Sequence, residues 1–530
     1  MGQTTIQTQL LIRKMRRNKK KLAAIKVIAL LFFATIVNAQ QQSTPTELKT
    51  LIVFFDGLRP DYITPEQMPN LYAFKKHGVL ATEHHSVFPT VTRLNSSAYS
   101  TGSYPAKTGI LGNNVYFPEI NKFKSLNTGD ADVLKLIDSV TNGQLITTIS
   151  FGEVLEAAGK RLMVFSSGST GQALLQNHTL NSGTIVNPDM ILPESYRKTV
   201  YDVVGPFAND KDYSERHIWA TDALIELGLQ PDGADVCAIW VSDPDHTAHA
   251  DGVGVPSTVA ALKLVDQQFG RILNHLKSQN LEDSYNIIVS ADHGFVTHVG
   301  KKTITAHLME KGFKKSKSSD DVVLANGAIY VKDSNPEVVK KIVASLQEAD
   351  FVGAIFTKGA KIGDMKGSVE GTLSFEAIHW DHPTRAADIL VDQNWDDRKN
   401  EFGYKGASFS SGHAGHGSFS PYEVHIALIA SGPSFKKSTE TKLPTSNVDI
   451  VPTVLHLLNV PIPKQMDGRV VYEMLDQKPP ASAPTKAKTE NVVASIDAPW
   501  GTYKLTLQRS ILGNYIYNDF AKTERVLFNR

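Results

Sequence analysis

Residues 51–56 read Leu51-Ile52-Val53-Phe54-Phe55-Asp56, five apolar residues without a polar break and then a carboxylate. An unbroken apolar run, as opposed to an alternating one, is what a strand covered on both faces requires. Similar short runs recur at 162–165, 236–241, 287–290 and 426–430. Between them the periodicity turns helical, at 68–77, 150–158 and 259–277, the last with Leu262, Val265, Phe269, Ile272 and Leu276 on one stripe. Strands alternating with helices predict an α/β fold, an α/β/α sandwich around a mostly parallel central sheet.

The rest of the composition agrees with a folded body. The 530 residues are 41% hydrophobic and 21% charged, with 37 Gly and 25 Pro, which excludes disordered, collagenous and coiled-coil classes. The one cysteine, Cys237, lies inside the apolar run 236–240, so no disulfide framework or cysteine metal site can be built, and it reads as a small buried hydrophobe. The formal charge of +1 hides an uneven distribution, because residues 1–39 carry eight basic and no acidic side chains. Without them, 47 basic residues face 54 acidic ones, a net of −7. Such a body argues against stable nucleic-acid binding through phosphate contacts.

Residues 1–39 read as a signal peptide: a basic region, the apolar stretch VIALLFFATIV at 27–37, and Asn38-Ala39 as small residues ahead of Gln40. Eleven apolar residues are short for a bilayer span, although an uncleaved N-terminal anchor is the competing reading. In either case residues 40–530 are expected outside the cytoplasm, periplasmic or secreted, without membrane contact once the signal is cleaved. Residues from about 299 to 408 carry no dominant signal and read as an inserted cap or subdomain. Residues 478–488 look like a surface connection ahead of one or two hairpins at 492–527.

In parallel sheets, ligands collect where strands end and loops converge. Asp56 follows the run at 51–55, Asp243 and Asp245 follow 238–241, and Asp292 with His293 follows 287–290. A single Asp after a strand is ordinarily a turn former or helix cap. Three such ends accompanied by histidines point instead to a metal site. Asp245-x3-His249 puts a carboxylate and an imidazole one helical turn apart, and His416 sits in the glycine-rich segment Ser411-Gly412-His413-Ala414-Gly415-His416-Gly417. Oxygen and nitrogen donors without sulfur suit a pair of divalent ions, zinc foremost. The segment Pro89-Thr90-Val91-Thr92-Arg93-Leu94-Asn95 supplies hydroxyls at a loop-to-helix junction, either as an anion cradle or as a plain helix cap.

Taken in order, residues 51–61 (LIVFFDGLRPD), the PTVTRLN stretch with Thr101-Gly102-Ser103-Tyr104-Pro105, Asp245-x3-His249, Ser290-Ala291-Asp292-His293-Gly294 and His416-Gly417 resemble the motifs of the nucleotide pyrophosphatase/phosphodiesterase family within the alkaline phosphatase superfamily. The resemblance runs from about residue 48 to 475. It implies an alkaline phosphatase-like fold, one metal ion held by Asp245, His249 and His416, and a second held by Asp56, Thr92, Asp292 and His293. It further implies that Thr92 is the nucleophile, that Asn95 steadies a phosphoryl oxygen, and that the substrate is a small phosphate ester such as a nucleotide, hydrolysed through a phosphothreonine intermediate. Two departures stand out. Arg93-Leu94 replaces the family's Phe-Pro, and Ser166-Ser167-Gly168-Ser169-Thr170 stands where threonine-dependent phosphomonoesterases of the superfamily carry a Lys-x-Arg pair. The missing cations favour singly charged diesters over monoesters. A phosphomonoesterase or phosphonoacetate hydrolase-like enzyme with the same two ions is the alternative. Of the other histidines, His84, His85, His379, His382 and His425 read as packed or surface imidazoles, and His246 and His413 as neighbours of ligands.

Overall fold

The computed structural model describes residues 11, 13–19, 48–208 and 213–528. Leu11 and residues 13–19 are helical and exposed. The apolar stretch and cleavage site of the expected signal peptide lie outside the described residues.

Nine strands of the central sheet follow in chain order: β1 (Lys49–Phe55), β2 (Val79–His85), β3 (Leu162–Ser166), β4 (Thr184–Asn187), β5 (Met190–Leu192), β6 (Val236–Val241), β7 (Tyr285–Ser290), β8 (His425–Ser431) and β9 (Thr439–Thr441). In space they run β9-β2-β8-β7-β1-β6-β3-β4-β5. The middle five, β7-β1-β6-β3-β4, are parallel. Val53 of β1 is in register with Ile239 on one side and Val289 on the other.

The unbroken apolar runs are explained by what covers the two faces. Seven helices matter here: α1 (Pro69–His77), α2 (Thr92–Thr101), α3 (Phe151–Ala157), α4 (Tyr213–Ala223), α5 (Asp245–Asp251), α6 (Pro256–Ser278) and α7 (Ile450–Leu457). Ile52, Phe54, Val164, Ala238 and Trp240 point into one core, shared with Tyr99 of α2, Leu155 of α3 and Val454 of α7. Their chain neighbours Leu51, Val53, Phe55, Phe165 and Ile239 point into the other, shared with Leu71 of α1, Trp219 of α4 and Phe269 of α6. Successive residues of a strand face opposite ways, so both sets must be apolar.

The strand expected at 426–430 is present as β8, but it runs antiparallel to β7 and β2. The chain leaves β7 at the rim where Asp292 lies and enters β8 from the same rim, where Gly294 N donates to Glu423 O at 2.8 Å, which forces the reversal. Within 299–408 it builds a second sheet from Val322–Ala325, Ala328–Val331, Ile389–Gln393, Val352–Thr357 and Leu373–Ser374, backed by the helix Pro336–Glu348. The C-terminal strands Ala487–Ala498, Gly501–Leu512 and Tyr515–Leu527 form an antiparallel sheet that contributes Tyr503, Leu505 and Leu507 to the same core. Leu48–Arg530 is a single contact unit. Among the described residues no helix is long and apolar enough to cross a membrane.

Two buried histidines of this sheet give a pH prediction. His84 is held by Thr445 Oγ1 at 2.8 Å and Asn447 Oδ1 at 3.1 Å, and burial pushes it down to about 3. Burial, helped by the charge of His85, takes His425 to about 3 as well. An unfolded histidine titrates near 6.5, so the unfolded chain binds more protons, and stability is lost as pH falls from about 6.5 towards 3. Each histidine should cost about 1.4 kcal/mol per pH unit in that window. Urea denaturation of chelator-treated protein at pH 7 and pH 5 measures the loss, and His425→Gln should flatten it; an unchanged slope in that variant would refute the assignment.

Candidate active site

The strand-end rule holds. Asp56 directly follows β1, Asp245 opens α5 after β6, His249 lies one turn along α5, and Asp292-His293 follows β7. His416 comes in from the loop ahead of β8, and Thr92 is the first residue of α2. All seven meet at one rim. Asp245, His249 and His416 form one cluster and Asp56, Asp292 and His293 another, with the candidate ligand atoms of each within 4.8 Å of one another. The clusters adjoin, since His293 Nε2 is 3.5 Å from Asp56 Oδ1 and 4.0 Å from Asp245 Oδ1. Thr92 Oγ1 lies 3.3 Å from the same nitrogen.

The protein grips one side of each ligand and presents the other. His249 Nδ1 is 3.2 Å from Ala414 O, His293 Nδ1 is 3.0 Å from Gly294 O, and His416 Nδ1 is 2.7 Å from Thr90 O. A carbonyl only accepts, so each Nδ1 carries the proton and each neutral ring turns an Nε2 lone pair towards the carboxylates. Asp56 Oδ2 accepts from Trp240 Nε1 at 2.9 Å, and Asp292 Oδ1 accepts from Gly57 N at 3.1 Å. Their other oxygens, Asp56 Oδ1 and Asp292 Oδ2, are buried without a hydrogen-bond partner, as is Asp245 Oδ1. His249 Nε2 and His416 Nε2 each approach Asp245 Oδ1 to 3.2 Å, and His293 Nε2 approaches Asp292 Oδ2 to 3.0 Å. Lone pairs facing anionic oxygens at such distances require a cation between them or an added proton on the ring. The donor set, three imidazole nitrogens and three carboxylates, therefore fits two divalent ions.

The titration pattern has the same cause. Burial, with the charges of Asp292 and Asp245, pushes the Asp56 carboxyl well above its ordinary value. Burial acts likewise on Asp245, but in the ion-free protein, where His249 and His416 take up the added proton, their hydrogen bonds and charge carry it well below. His416 is pushed down to about 4 by burial and by the charge of His293. The backbone is shaped for close approach: Gly57 has φ +72°, and a Cβ there would meet Asp245 Cβ at 3.1 Å. Trp240→Phe removes the donor that orients Asp56 and should lower metal affinity by roughly 10- to 100-fold; titration with a metal indicator checks this, and unchanged affinity would show that the indole only packs.

The structure overturns one expected role. Asn95 is fully buried in α2, its Oδ1 accepts from Val87 N at 2.9 Å, and its Nδ2 donates to Val87 O and Val91 O at 3.0 and 3.2 Å. Those bonds close the loop onto the helix and leave no donor for a phosphoryl oxygen. The amide that does reach the nucleophile's end of α2 belongs to Asn113, whose Oδ1 accepts from Arg93 N at 2.9 Å. Gly112-Asn113-Asn114 reads as turn chemistry, which masks it in the sequence. The N-cap residue Val91 supplies no capping side chain, and with Arg93 N taken by Asn113 and Asn95 N by Val91 O, the N–H of Thr92 is the one left at the nucleophile for an anion. Asp243 and His246 stay outside the clusters. Asp243 accepts from Thr247 and lies 2.9 Å from His217 Nε2, and His246 stacks on Tyr213 at 3.5 Å. Arg59 is buried, paired with Asp61 and bonded to Phe295 O.

The family model described as type I phosphodiesterase / nucleotide pyrophosphatase matches residues 50–397. The chain belongs to that family. It is thus an enzyme of a phosphoric ester hydrolase family. Among curated relatives, a bis(5'-adenosyl)-triphosphatase of Xenopus laevis is 25% identical over 444 residues, covering 82% of this chain and 83% of that one. Human ectonucleotide pyrophosphatase/phosphodiesterase family member 5 is 23% identical over 446 residues, covering 82% and 78%. A match to mouse family member 3, 30% identical over 252 residues, spans 47% of this chain but only 25% of that longer protein. Of solved structures, murine family member 5 superposes with a TM-score of 0.57 at 20% identity over 81% of this chain and all of that one. A mutant of the alkaline phosphatase PafA superposes with a TM-score of 0.59 at 15% identity over 82% of this chain and all of that one. Both show the shared alkaline phosphatase-like fold.

Proposed function

We propose that this protein hydrolyses phosphodiester or pyrophosphate bonds of small phosphate esters such as nucleotides, through a phosphothreonine ester on Thr92. The observation that carries the reading is the set of three imidazoles, each tethered by Nδ1 to a carbonyl and aiming Nε2 at buried, donor-free carboxylate oxygens beside a threonine hydroxyl. Asp245, His249 and His416 would hold one ion, and Asp56, Asp292, His293 and Thr92 the other. Two divalent ions there, most fittingly Zn2+, would supply Lewis acidity that lowers the pKa of a hydroxyl and neutralises charge on a leaving oxygen.

The chain's own groups do the rest. Thr92 Oγ1 forms a bond to phosphorus as the bond to the leaving oxygen breaks, and water later cleaves the threonine ester. The N–H of Thr92 and the Asn113 amide NH2 would serve the nonbridging oxygens, where loss of one donor costs on the order of 10²–10³ in rate. His416 and His293 stack at 3.5 Å, which fixes both rings. That murine family member 5 was solved in an inactive form with AMP supports a nucleotide-sized ligand. An N-terminal signal read from residues 1–39 supports export to the periplasm or beyond.

The test is a comparison of kcat/KM for bis-p-nitrophenyl phosphate, ATP, p-nitrophenyl phosphate and phosphonoacetate on zinc-loaded protein. The reading expects the diester and the pyrophosphate to be cleaved best. Higher efficiency on p-nitrophenyl phosphate or phosphonoacetate than on either would reverse it in favour of the alternative enzyme.

A further inference from the structure

Arg93 follows Thr92 in α2, and no element of the mechanism above uses its side chain. Among the described residues it has no ion-pair partner, and its Nε is buried without a hydrogen-bond partner. Arg93 is half-buried, and the four arginines that are buried outright are all engaged: Arg59 with Asp61, Arg216 with Asp189, Arg469 with Glu473 and Arg509 with Glu490. Its guanidinium carbon packs over Gly129, 3.7 Å from where a Cβ would stand, and Ser169 Oγ lies 3.6 Å from that same point. The head of Arg93 is therefore beside the cation-free loop that follows β3. That loop is part of the rim, since Ser167 Oγ lies 3.2 Å from Ser242 Oγ, three residues ahead of Asp245, and Arg93 itself follows Thr92 at the start of α2.

A half-buried guanidinium with its Nε shut off from water and no counter-charge is costly. Loading the site with two dications makes it costlier, because three carboxylates against two dications leave one positive charge, and Arg93 makes two. A singly charged diester cancels one of them. We infer that Arg93 is a specificity-determining residue that binds a second anionic oxygen next to the transferred phosphoryl group, raising efficiency on substrates with a second charge there relative to what the two ions alone would give, without placing monoesters above diesters. The second charge belongs either to a monoester's own phosphoryl or to the adjoining phosphate of a pyrophosphate linkage. This rests on reading the rim as a phosphoryl-transfer site.

The test compares Arg93→Ala and Arg93→Lys with the unmodified protein on bis-p-nitrophenyl phosphate, p-nitrophenyl phosphate and ATP. The quantity read is the ratio of kcat/KM on each doubly charged substrate to that on the diester. The expected result is a fall in that ratio of roughly 10- to 100-fold for Arg93→Ala, with partial rescue by Arg93→Lys. A fall confined to p-nitrophenyl phosphate places the second charge on the transferred group, and one confined to ATP places it on the neighbouring phosphate. An equal loss on all three substrates, or an unchanged ratio, overturns the inference. If Arg93→Ala fails to fold, Arg93→Gln carries the same comparison. Calorimetric binding of AMP and of ADP to the Thr92→Ala protein, with and without Arg93→Ala, reads the two positions of the charge without turnover. Failure of the hydrolase reading would thus be seen in the unmodified protein's rates, and failure of the Arg93 inference in AMP and ADP affinities that both stay unchanged.

Discussion

Thr92→Ala is expected to abolish turnover while leaving most of the metal content in place. The hydroxyl is the group that would form the ester bond, and loss of a covalent nucleophile costs on the order of 10⁶-fold in a serine protease. Thr92 stands at the first position of α2, 4% exposed, with Oγ1 3.3 Å from His293 Nε2, while Thr90 Oγ1 is committed to Ser418 O and Glu423. Thr90 therefore cannot take over. The two metal clusters lose no carboxylate or imidazole in the variant, so bound zinc should persist. Thr92→Ser keeps the oxygen and should keep much of the activity. Acid-quenched protein should carry the substrate-derived ester on the peptide containing Thr92, and retained hydrolysis by the alanine variant would remove Thr92 from the mechanism.

The second large effect is a reversal of stability. Asp56 is buried among Asp245 and Asp292, and its carboxyl is pushed well up by burial and by their charges. Without ions that crowding opposes folding; with ions it is what holds them. Asp56→Asn keeps the acceptor for Trp240 Nε1 and turns an amide N–H towards the bare carboxylates. The chelated variant should therefore be more stable than chelated wild type, by about 1–3 kcal/mol. In zinc the order should invert, because wild type gains about 4 kcal/mol at a metal concentration a thousand times Kd and the variant gains less. Thermal melts of both proteins, in chelator and in zinc, give the four values. A variant less stable in both conditions would mean that Asp56 acts as a packed hydrogen-bond acceptor and not as part of a cation cage.

Much of this was legible in the sequence, for a physical reason. Strands buried on both faces cannot alternate, so β1, β3, β6 and β7 announce themselves as apolar runs, and the carboxylates at their ends mark the rim. The direction of β8 was not legible, because a run of apolar residues carries no polarity and its reversal depends on where the chain emerges after 299–408. The role that the resemblance implies for Asn95 does not fit, because the helix carries its side chain round into the core, where Val87 and Val91 hold it. Asn113 arrives from a loop 20 residues on from Arg93, and only its bond to Arg93 N reveals it. Arg93 itself looks like any solvated arginine until the fold shows that it lacks a partner.

The account depends most on two ions sitting between the imidazoles and the carboxylates of the rim. The direct measurement is elemental analysis of protein dialysed against trace zinc, paired with the rate of diester hydrolysis before chelation, after it, and after zinc is returned. The account predicts two ions per chain, loss of hydrolysis on their removal, and recovery as the second ion rebinds. Undiminished hydrolysis by metal-free protein, or a chain that saturates without divalent ions, would contradict it.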